Sequence, residues 1–194
     1  MPRDNQRNRT RKDLLEAALR LSANGDKPSL EQVAEDASVS RATAYRYFKN
    51  VDELLLEAAL HMAFPDASEI LDPEDVDPVS RLKRVDHAVQ AMIEANEPSL
   101  RLMMANSIQK AANADGLPAR QNRRMPLVEA ALEPAAGSID RKSLERLKAG
   151  LSLIVGAEAT IVFKDVLQLS DKEATEVRHW VIEALVDHAH KSGR

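Results

Sequence analysis

SLEQVAEDASVSRATAYRYF, residues 29–48, is the stretch of sequence that decides the fold of this chain. Ser29 is a suitable N-cap for a first helix, and Gln32 stands three residues later, where the second member of a capping box belongs. The pattern then restarts, because Ser40 is placed to cap a new helix that begins at Arg41. The stretch therefore predicts two short helices joined by a tight turn, which is a helix-turn-helix.

The second of these helices has a polar and cationic outer face. Ala44 and Phe48 fall at i and i+4, which predicts its inner side. Arginine and threonine side chains can contact base edges, and tyrosine can bond phosphate oxygens. We therefore predict that Arg41 and Thr43 read bases, while the tyrosines and the lysine contact the DNA backbone. The predicted DNA-binding residues are Ser40, Arg41, Ala42, Thr43, Tyr45, Arg46, Tyr47 and Lys49.

These residues resemble the TetR family of bacterial transcriptional regulators. The resemblance covers roughly residues 10–60 and is carried by the segments Val33 to Ala37, Ser40 to Phe48 and Asp52 to Leu55. It implies a helical DNA-binding head, a larger helical domain that dimerises, and release from DNA by a small-molecule effector.

Two positions depart from the family pattern. Ser38 stands where the family usually has Gly, which predicts either a left-handed residue or a reshaped turn. Val51 stands where the family tends to have a lysine that contacts phosphate, and Lys49 is our candidate substitute for that contact.

Composition excludes several other classes of protein. Of the 194 residues 44% are hydrophobic but only 3% aromatic, and none is cysteine, which removes disulfides, thiol catalysis and cysteine zinc sites. No apolar run of 18 residues and no signal peptide are found, so we expect a cytoplasmic protein without a membrane partner. His188 and His190 lie two apart and would not face each other on a helix. We predict no metal site, no cofactor and no enzymatic activity.

The charge is distributed unevenly along the chain. Residues 1–50 carry 10 Lys and Arg against 7 Asp and Glu, whereas residues 51–194 carry 17 against 24. A polyanion would therefore be attracted to the N-terminal end and repelled by the remainder. The basic N-terminal arm is either a solvated tail or a second DNA contact, and its members are Arg3, Arg7, Arg9, Arg11 and Lys12.

Helical periodicity predicts an all-α fold with two domains. We assign residues 1–50 to a helix-turn-helix head, 51–63 to a connecting helix, and 64–194 to a C-terminal ligand-binding and dimerisation domain. Residues 65–77 hold six acidic residues and two prolines, which favours a solvated linker over a calcium loop. The other predicted helices are Thr10 to Asn24, Val79 to Asn96, Pro98 to Ala114, Pro126 to Leu132 with an extension toward Arg123, 149–163, and a last helix capped by Ser170.

The two most C-terminal helices predict a dimer. Residues 149–163 contain one charge, Glu158, and a helix that is apolar all round must be buried on both sides. Small residues such as Gly150 and Gly156 would let a partner backbone approach. Two helices from each subunit would form a four-helix bundle, as the resemblance also implies. The predicted interface residues are Leu151, Ile154, Gly156, Val177, Val181 and Ala184.

Four residues are candidates for a ligand pocket in the larger domain. Met92, Met103 and Met104 have adaptable thioethers that suit variable apolar pockets, although methionine is also an ordinary core residue. Glu158 is either a ligand anchor or an edge residue that pairs with Arg or Lys, because an unpaired buried charge is costly.

Two functions remain open at this point. The first is a homodimeric repressor that binds palindromic duplex DNA and is released by a small-molecule effector. The alternative is a DNA-binding helical adaptor whose C-terminal region responds to a protein partner.

Overall fold

The computed structural model describes residues 2–23, 27–112 and 122–192. Within these ranges the chain forms helices and no β-strand, so the predicted all-α class is confirmed. The chain groups into two compact units, a head unit of Met1–Ala63 with Asn96–Gln121 and a C-terminal unit of Phe64–Ala95 with Asn122–Arg194. Residues 96–112, predicted to belong to the larger domain, group with the head unit. The functional boundary at residue 63 stays a prediction.

Five helices build the described part of the head unit. They are α1 Pro2–Ser22, α2 Leu30–Asp36, α3 Arg41–Tyr47, α4 Val51–Ala63 and α7 Glu97–Ala112. The prediction that α1 begins with Thr10 as its cap is wrong, since the helix already starts at Pro2, whose missing N–H is tolerated in a first turn. The predicted ends of the helices Thr10 to Asn24 and Pro98 to Ala114 lie outside the described residues.

The head core is aliphatic and dense. Leu14 and Ala18 of α1, Val33 of α2, Phe48 after α3 and Leu54 of α4 are each fully buried within one cluster. Burying a leucine or phenylalanine side chain contributes about 1.5–3 kcal/mol, so this cluster holds the two short helices of the motif in place. Neither α2 nor α3, at seven residues each, would be stable alone.

The C-terminal unit contains α5 Ala67–Ile70, α6 Pro78–Ala95, α8 Arg124–Leu132, α9 Arg141–Ile154, α10 Ala157–Ile161 and α11 Asp171–Ser192. A 3-10 turn follows α8 at Glu133–Ala135, and a π-helical turn follows α10 at Val162–Val166. Helix α8 begins at Arg124, two residues before the predicted start at Pro126 and one residue short of the predicted extension through Arg123, which is its N-cap. The acidic linker holds the short α5 together with turns in which aspartate side chains accept backbone N–H bonds.

The prediction of one continuous helix over 149–163 is wrong. Helix α9 ends at Ile154 and α10 begins at Ala157, with Gly156 between them at φ 149°. A residue with a side chain rarely adopts that backbone angle, and the glycine therefore allows the break. Apolar composition alone could not reveal it, because alanine, valine and isoleucine are compatible with a helix on either side.

A buried arginine stabilises the end of α8. Arg81 of α6 is 6% exposed and donates to the carbonyl oxygens of Ala130 and Ala131 at 2.8 and 3.1 Å. It also donates to the carbonyl oxygens of Asp72 and Asp75 in the linker, both at 2.9 Å. The last carbonyls of a helix lack intrahelical partners, so this side chain supplies the missing donors and anchors the linker.

Candidate functional site

Both helices of the helix-turn-helix have the predicted capping chemistry. The Gln32 N–H donates to Ser29 Oγ at 3.2 Å, and the Ser29 N–H donates to Gln32 Oε1 at 2.8 Å, which completes the capping box. Ser38 lies at φ 55°, so the left-handed alternative predicted for this position is confirmed. Ser40 then caps α3 by accepting from the Thr43 N–H at 3.1 Å. These local bonds fix the angle at which α3 leaves the turn.

The outer face of α3 is cationic and open. Arg41, Ala42, Tyr45 and Arg46 are exposed, and Lys49 is exposed just beyond the helix. The inner side predicted from Ala44 and Phe48 is confirmed, since both are fully buried. We define the recognition face as the exposed residues Arg41, Ala42, Tyr45, Arg46 and Lys49.

Tyr47 is a correction to the predicted outer face. Its relative exposure is 3%, because it follows Ala44 at i+3 and turns with it into the head core. Thr43 is half-buried, and its hydroxyl lies 2.8 Å from Ser40 Oγ. The side-chain oxygen of Ser40 is therefore engaged in the N-cap of α3 through its bonds with Thr43. The structure brings the remaining predicted DNA-binding residues together on one surface.

Glu31 is a residue of this surface that the sequence analysis missed. The Tyr45 hydroxyl donates to Glu31 Oε1 at 2.8 Å. This hydrogen bond lowers the pKa of Glu31, with a smaller contribution from the nearby Arg41 charge, and raises the pKa of Tyr45. The sequence held a weak signal, because Glu31 lies in the first turn of α2, where acidic residues are favoured for helix stability alone.

Lys49 lies beside the start of α4. Its N–H donates to Glu53 Oε2 at 2.9 Å, and the Glu53 N–H donates to Asn50 Oδ1 at 2.9 Å, so Asn50 and Glu53 cap α4 together. The Lys49 side chain is exposed, whereas Val51 supplies no charge. An open groove of about 550 Å³ next to this cap lies within the head unit, and its lining includes Lys49, Asn50, Asp52, Glu53, Leu102, Asn106 and Gln109.

Arg11 does not belong to a DNA-contacting arm. It is 3% exposed, and it donates through Nε and Nη2 to the two carboxylate oxygens of Glu57 at 2.9 and 2.5 Å. Its guanidinium carbon also lies 4.9 Å from the centre of the Phe48 ring. Because Phe48 ends α3 and Glu57 belongs to α4, this buried pair links three helices of the head. Arg9 and Lys12 remain exposed members of the arm.

The candidate ligand residues are separated between the two units. Met92, in the C-terminal unit, and Met103 and Met104, in the head unit, are each less than 10% exposed. Glu158 accepts from Arg124 Nη2 at 2.7 Å, which is the ion pair that the sequence analysis offered as one of two alternatives. Arg124 also donates to the Ser152 carbonyl oxygen at 2.6 Å and so joins α8, α9 and α10.

A buried polar cluster lies among α6, α10 and α11. Asp86 is fully buried and accepts from Arg178 Nε at 3.0 Å through Oδ2. Gln90 Oε1 accepts from the Thr160 hydroxyl at 2.9 Å. His179 Nε2 lies 3.5 Å from Asp86 Oδ2 without hydrogen-bond geometry, and burial lowers the pKa of His179 more than the Asp86 charge raises it. Asp86 Oδ1 and Gln90 Nε2 have no hydrogen-bond partner among the described residues.

The predicted interface residues do not share one surface. Leu151 is fully buried in its own chain, and Gly156 is buried with its α-carbon facing the Arg124 guanidinium, so neither is open to a second subunit. Gly150 likewise faces Leu185 of the same chain. The Cα of each glycine therefore faces a side chain of its own unit. At the buried Gly156 this contradicts the predicted approach of a partner backbone, whereas at the partly exposed Gly150 that role stays a prediction.

The remaining interface candidates lie nearer the surface. Val177 is 36% exposed, Ala184 is exposed, and Ile154 and Val181 are partly buried. Trp180, 68% exposed, was missed, although it follows Val177 by three residues and precedes Ala184 by four on the same helix. Leu153 of α9, 72% exposed, was missed as well. We call Leu153, Val177, Trp180 and Ala184 the apolar face of the C-terminal unit.

Neither a metal site nor a membrane span emerges from the residues that the structure describes. No group of three or more His, Asp or Glu side chains among them is arranged to hold an ion. None of their helices combines the length and apolar character that crossing a bilayer requires.

Comparison with known proteins supports the interpretation of the head. Residues 14–58 match the family model described as bacterial regulatory proteins, tetR family. The matched segment runs from the core side of α1 through the helix-turn-helix into α4, and so contains the whole recognition face. The search of curated proteins finds no match to this chain.

Proposed function

We propose that the chain, whose residues 14–58 match the model of the tetR family of bacterial regulatory proteins, is a homodimeric repressor released from palindromic DNA by a small-molecule effector. The observation that carries this proposal is the recognition face on α3, held outward by a packed inner side of Ala44, Tyr47 and Phe48. A helix with a cationic outer face and a buried inner face suits the major groove.

Within this proposal, some residues of the recognition face contact bases and others contact phosphates. Arg41 at the N-terminal end of α3 reads a base edge, since bidentate contact of arginine with guanine is the commonest specific contact in the major groove. Arg46 and Lys49 contact phosphates and set the register, whereas the one hydroxyl proton of Tyr45 is donated to Glu31. Thr43 is only partly exposed, so its share of base reading is smaller than that of Arg41. Tyr47 takes no part.

Dimerisation is proposed through the apolar face. Three of its members, Val177, Trp180 and Ala184, follow one another at helical spacing on α11, and Leu153 lies on α9, which packs against α11. An exposed tryptophan with apolar neighbours is the composition expected at the centre of a protein interface. A two-fold dimer also supplies the second recognition helix that a palindrome requires.

An effector site is proposed in the C-terminal unit. The buried cluster of Asp86, Gln90 and His179 supplies hydrogen-bonding atoms that the described residues leave unpaired, and Met92 on the same helix as Asp86 supplies a pliable apolar side chain. A few convergent polar groups in an apolar setting are typical of small-molecule sites. Glu158 is held by Arg124, so it is the weaker candidate anchor.

The DNA part of the proposal is tested by selection from a pool of randomised duplexes. We expect an enriched sequence with two inverted half-sites, and an affinity that falls linearly on a logarithmic plot against salt concentration. Arg41→Ala should weaken binding to the selected duplex by about 1–3 kcal/mol and relax one base pair in each half-site. A pool without enrichment after repeated rounds would sink the proposal.

The dimer part is tested by light scattering during size exclusion. Trp180→Glu places a charge on the apolar face, whereas Met62→Glu places one on a side chain of α4 that is equally exposed at 68%. We expect a dimer mass for the unmodified chain and for Met62→Glu, and a monomer mass for Trp180→Glu. A monomer mass for all three proteins would contradict the two-half-site mechanism. Native mass spectrometry of the purified protein tests for a retained effector.

A further inference from the structure

The carboxylate of Glu31 stands at the edge of the recognition face, where a negative charge is unexpected. Its Oε1 accepts from the Tyr45 hydroxyl, and Tyr45 is itself 51% exposed on that face. Arg41 is close enough to lower the pKa of Glu31 further. An ionised group at this place repels every phosphate of a bound duplex, which weakens binding to all sequences alike.

We propose that Glu31 is a specificity-determining residue that accepts a hydrogen bond from the amino group of a cytosine in the major groove. An ionised carboxylate only accepts hydrogen bonds, so it has no attractive contact with phosphates or with the acceptor atoms of guanine and thymine. The amino group of cytosine N4 is the donor that glutamate and aspartate pair with in this groove. This inference rests on the proposed DNA binding by α3.

Tyr45 and Arg41 supply the positioning that such a contact requires. The hydroxyl of Tyr45 holds one carboxylate oxygen and so reduces the rotamer freedom that Glu31 would lose on binding. A carboxylate has about four acceptor positions, so the group keeps capacity for a base donor. Arg41 prefers the acceptor edge of guanine, and Glu31 prefers the donor edge of cytosine. Together the two residues favour a C·G pair at or next to the position read by Arg41.

A simpler role for Glu31 is to stabilise the N-terminus of α2 through the helix dipole. That role predicts a modest gain in helix stability and no effect on which base is preferred. Base preference is therefore the readout that separates the two roles, since a purely structural residue would not change it.

The experiment is selection from randomised duplexes with the full-length protein and matched variants. Glu31→Gln retains the size of the side chain and can still accept from Tyr45, while Glu31→Ala removes the group. Glu94→Gln removes one exposed carboxylate from α6 in the C-terminal unit and controls for the change in net charge. Tyr45→Phe tests the positioning bond.

The unmodified protein is expected to select a C·G pair at one fixed position of each half-site, with about tenfold preference over other bases. Glu31→Ala should reduce that preference to about twofold and raise affinity for random duplex by about twofold at low salt. Glu31→Gln should shift the preference toward adenine, because the side-chain amide can accept from the N6 amino group of adenine and donate to its N7. Tyr45→Phe should weaken the base preference at that position, and Glu94→Gln should leave the preference unchanged.

Two outcomes overturn the inference, and they are distinguishable. If the unmodified protein selects a clear site and both Glu31 variants select the same site with the same preferences, the residue does not read DNA while the proposed function stands. If the unmodified protein selects no site, the proposed function has failed, and the role of Glu31 fails with it.

Discussion

Each unit of the molecule contains a buried pair of arginine and carboxylate. The two pairs differ in how many carboxylate oxygens accept a hydrogen bond. In the head, both carboxylate oxygens of Glu57 accept from Arg11, and each side chain is 4% exposed. In the C-terminal unit, Asp86 is fully buried and its Oδ2 accepts from Arg178, yet Oδ1 has no hydrogen-bond partner among the described residues.

The difference indicates that the head pair has a structural role, whereas the pair in the C-terminal unit leaves polar atoms open to a ligand. A bidentate pair that also lies over the Phe48 ring fixes the end of the recognition helix in one arrangement. Buried polar atoms are nearly always hydrogen-bonded, so an acceptor such as Asp86 Oδ1 and a donor such as Gln90 Nε2 call for a partner from outside the described residues. A polar effector that binds between Asp86 and Gln90, as proposed above, would meet that requirement.

Breaking the head pair should have the largest effect. Glu57→Gln replaces one acceptor oxygen by an amide NH₂ that faces the Arg11 guanidinium, and it removes the negative charge of a buried bidentate pair. We expect a loss of about 3–5 kcal/mol in the free energy of unfolding, measured by urea denaturation and located in the head by hydrogen exchange. The double variant Arg11→Met with Glu57→Leu removes both charges and should recover most of the loss. A single variant as stable as the unmodified chain would show that the pair is not essential to the head.

Each unit also has a turn with a residue at positive φ, which is Ser38 in the head and Gly156 in the C-terminal unit. The next test changes both residues. Gly156→Ala should destabilise the chain by about 1–3 kcal/mol, because alanine rarely adopts the required φ and its Cβ would lie 2.5 Å from Arg124 Nη1. Ser38→Gly is the reverse change in the head, where it should relieve the left-handed strain and stabilise by up to about 1 kcal/mol. Thermal unfolding of both variants gives the comparison, and equal shifts would contradict it.

Neutralising Asp86 should affect stability less than neutralising Glu57. The asparagine introduced by Asp86→Asn can keep its oxygen toward Arg178 and turn its NH₂ to the position where Oδ1 accepts no bond from the described residues. We expect this variant to lose about 1–2 kcal/mol of stability, measured by urea denaturation alongside Glu57→Gln. A loss as large as that of the head variant would mean that Asp86 Oδ1 is as fully used as the oxygens of Glu57.

The smallest expected effect is on pH dependence. Burial lowers the pKa of His179 below its ordinary value near 6.5, while Asp86 and Glu183 oppose this and Lys83 and Arg178 reinforce it. Between the lowered pKa and 6.5 the unfolded chain binds more protons than the folded chain, so stability must fall as the pH falls through that window. His179→Gln should flatten this decline by a few tenths of a kcal/mol, measured by urea denaturation at pH 7 and pH 5.5. An unchanged slope would contradict it.

Local chemistry made the helix-turn-helix predictable. The capping box of α2 and the side-chain caps of α3 and α4 depend on residues three apart in the chain, so the sequence contains both partners of each of these bonds. The left-handed conformation of Ser38 is one of the two alternatives that the sequence left open, and the structure decided between them. The start of α1 at Pro2 was missed because a polar segment can extend a helix without adding any apolar periodicity.

Contacts between distant residues were not predictable in the same way. Arg11 and Glu57 are separated by 46 residues and Asp86 and Arg178 by 92, and nothing in their local patterns distinguishes them from solvated charges. The burial of Leu151 and the exposure of Trp180 have the same origin, since helical spacing defines a face but not which element covers it.

The sequence by itself therefore determined the all-α class, the DNA-binding motif and the side of α3 that faces outward at Arg41 and Tyr45. Only the tertiary structure decided that Tyr47 is buried, that Arg11 pairs inside the head, that a glycine breaks the apolar helix at Gly156, and that Glu31 accepts from Tyr45 at the edge of the recognition face. The physical reason is the distance along the chain over which each interaction acts. Caps and periodicity act within one or two turns of a helix, whereas burial and charge pairing depend on which distant segments meet.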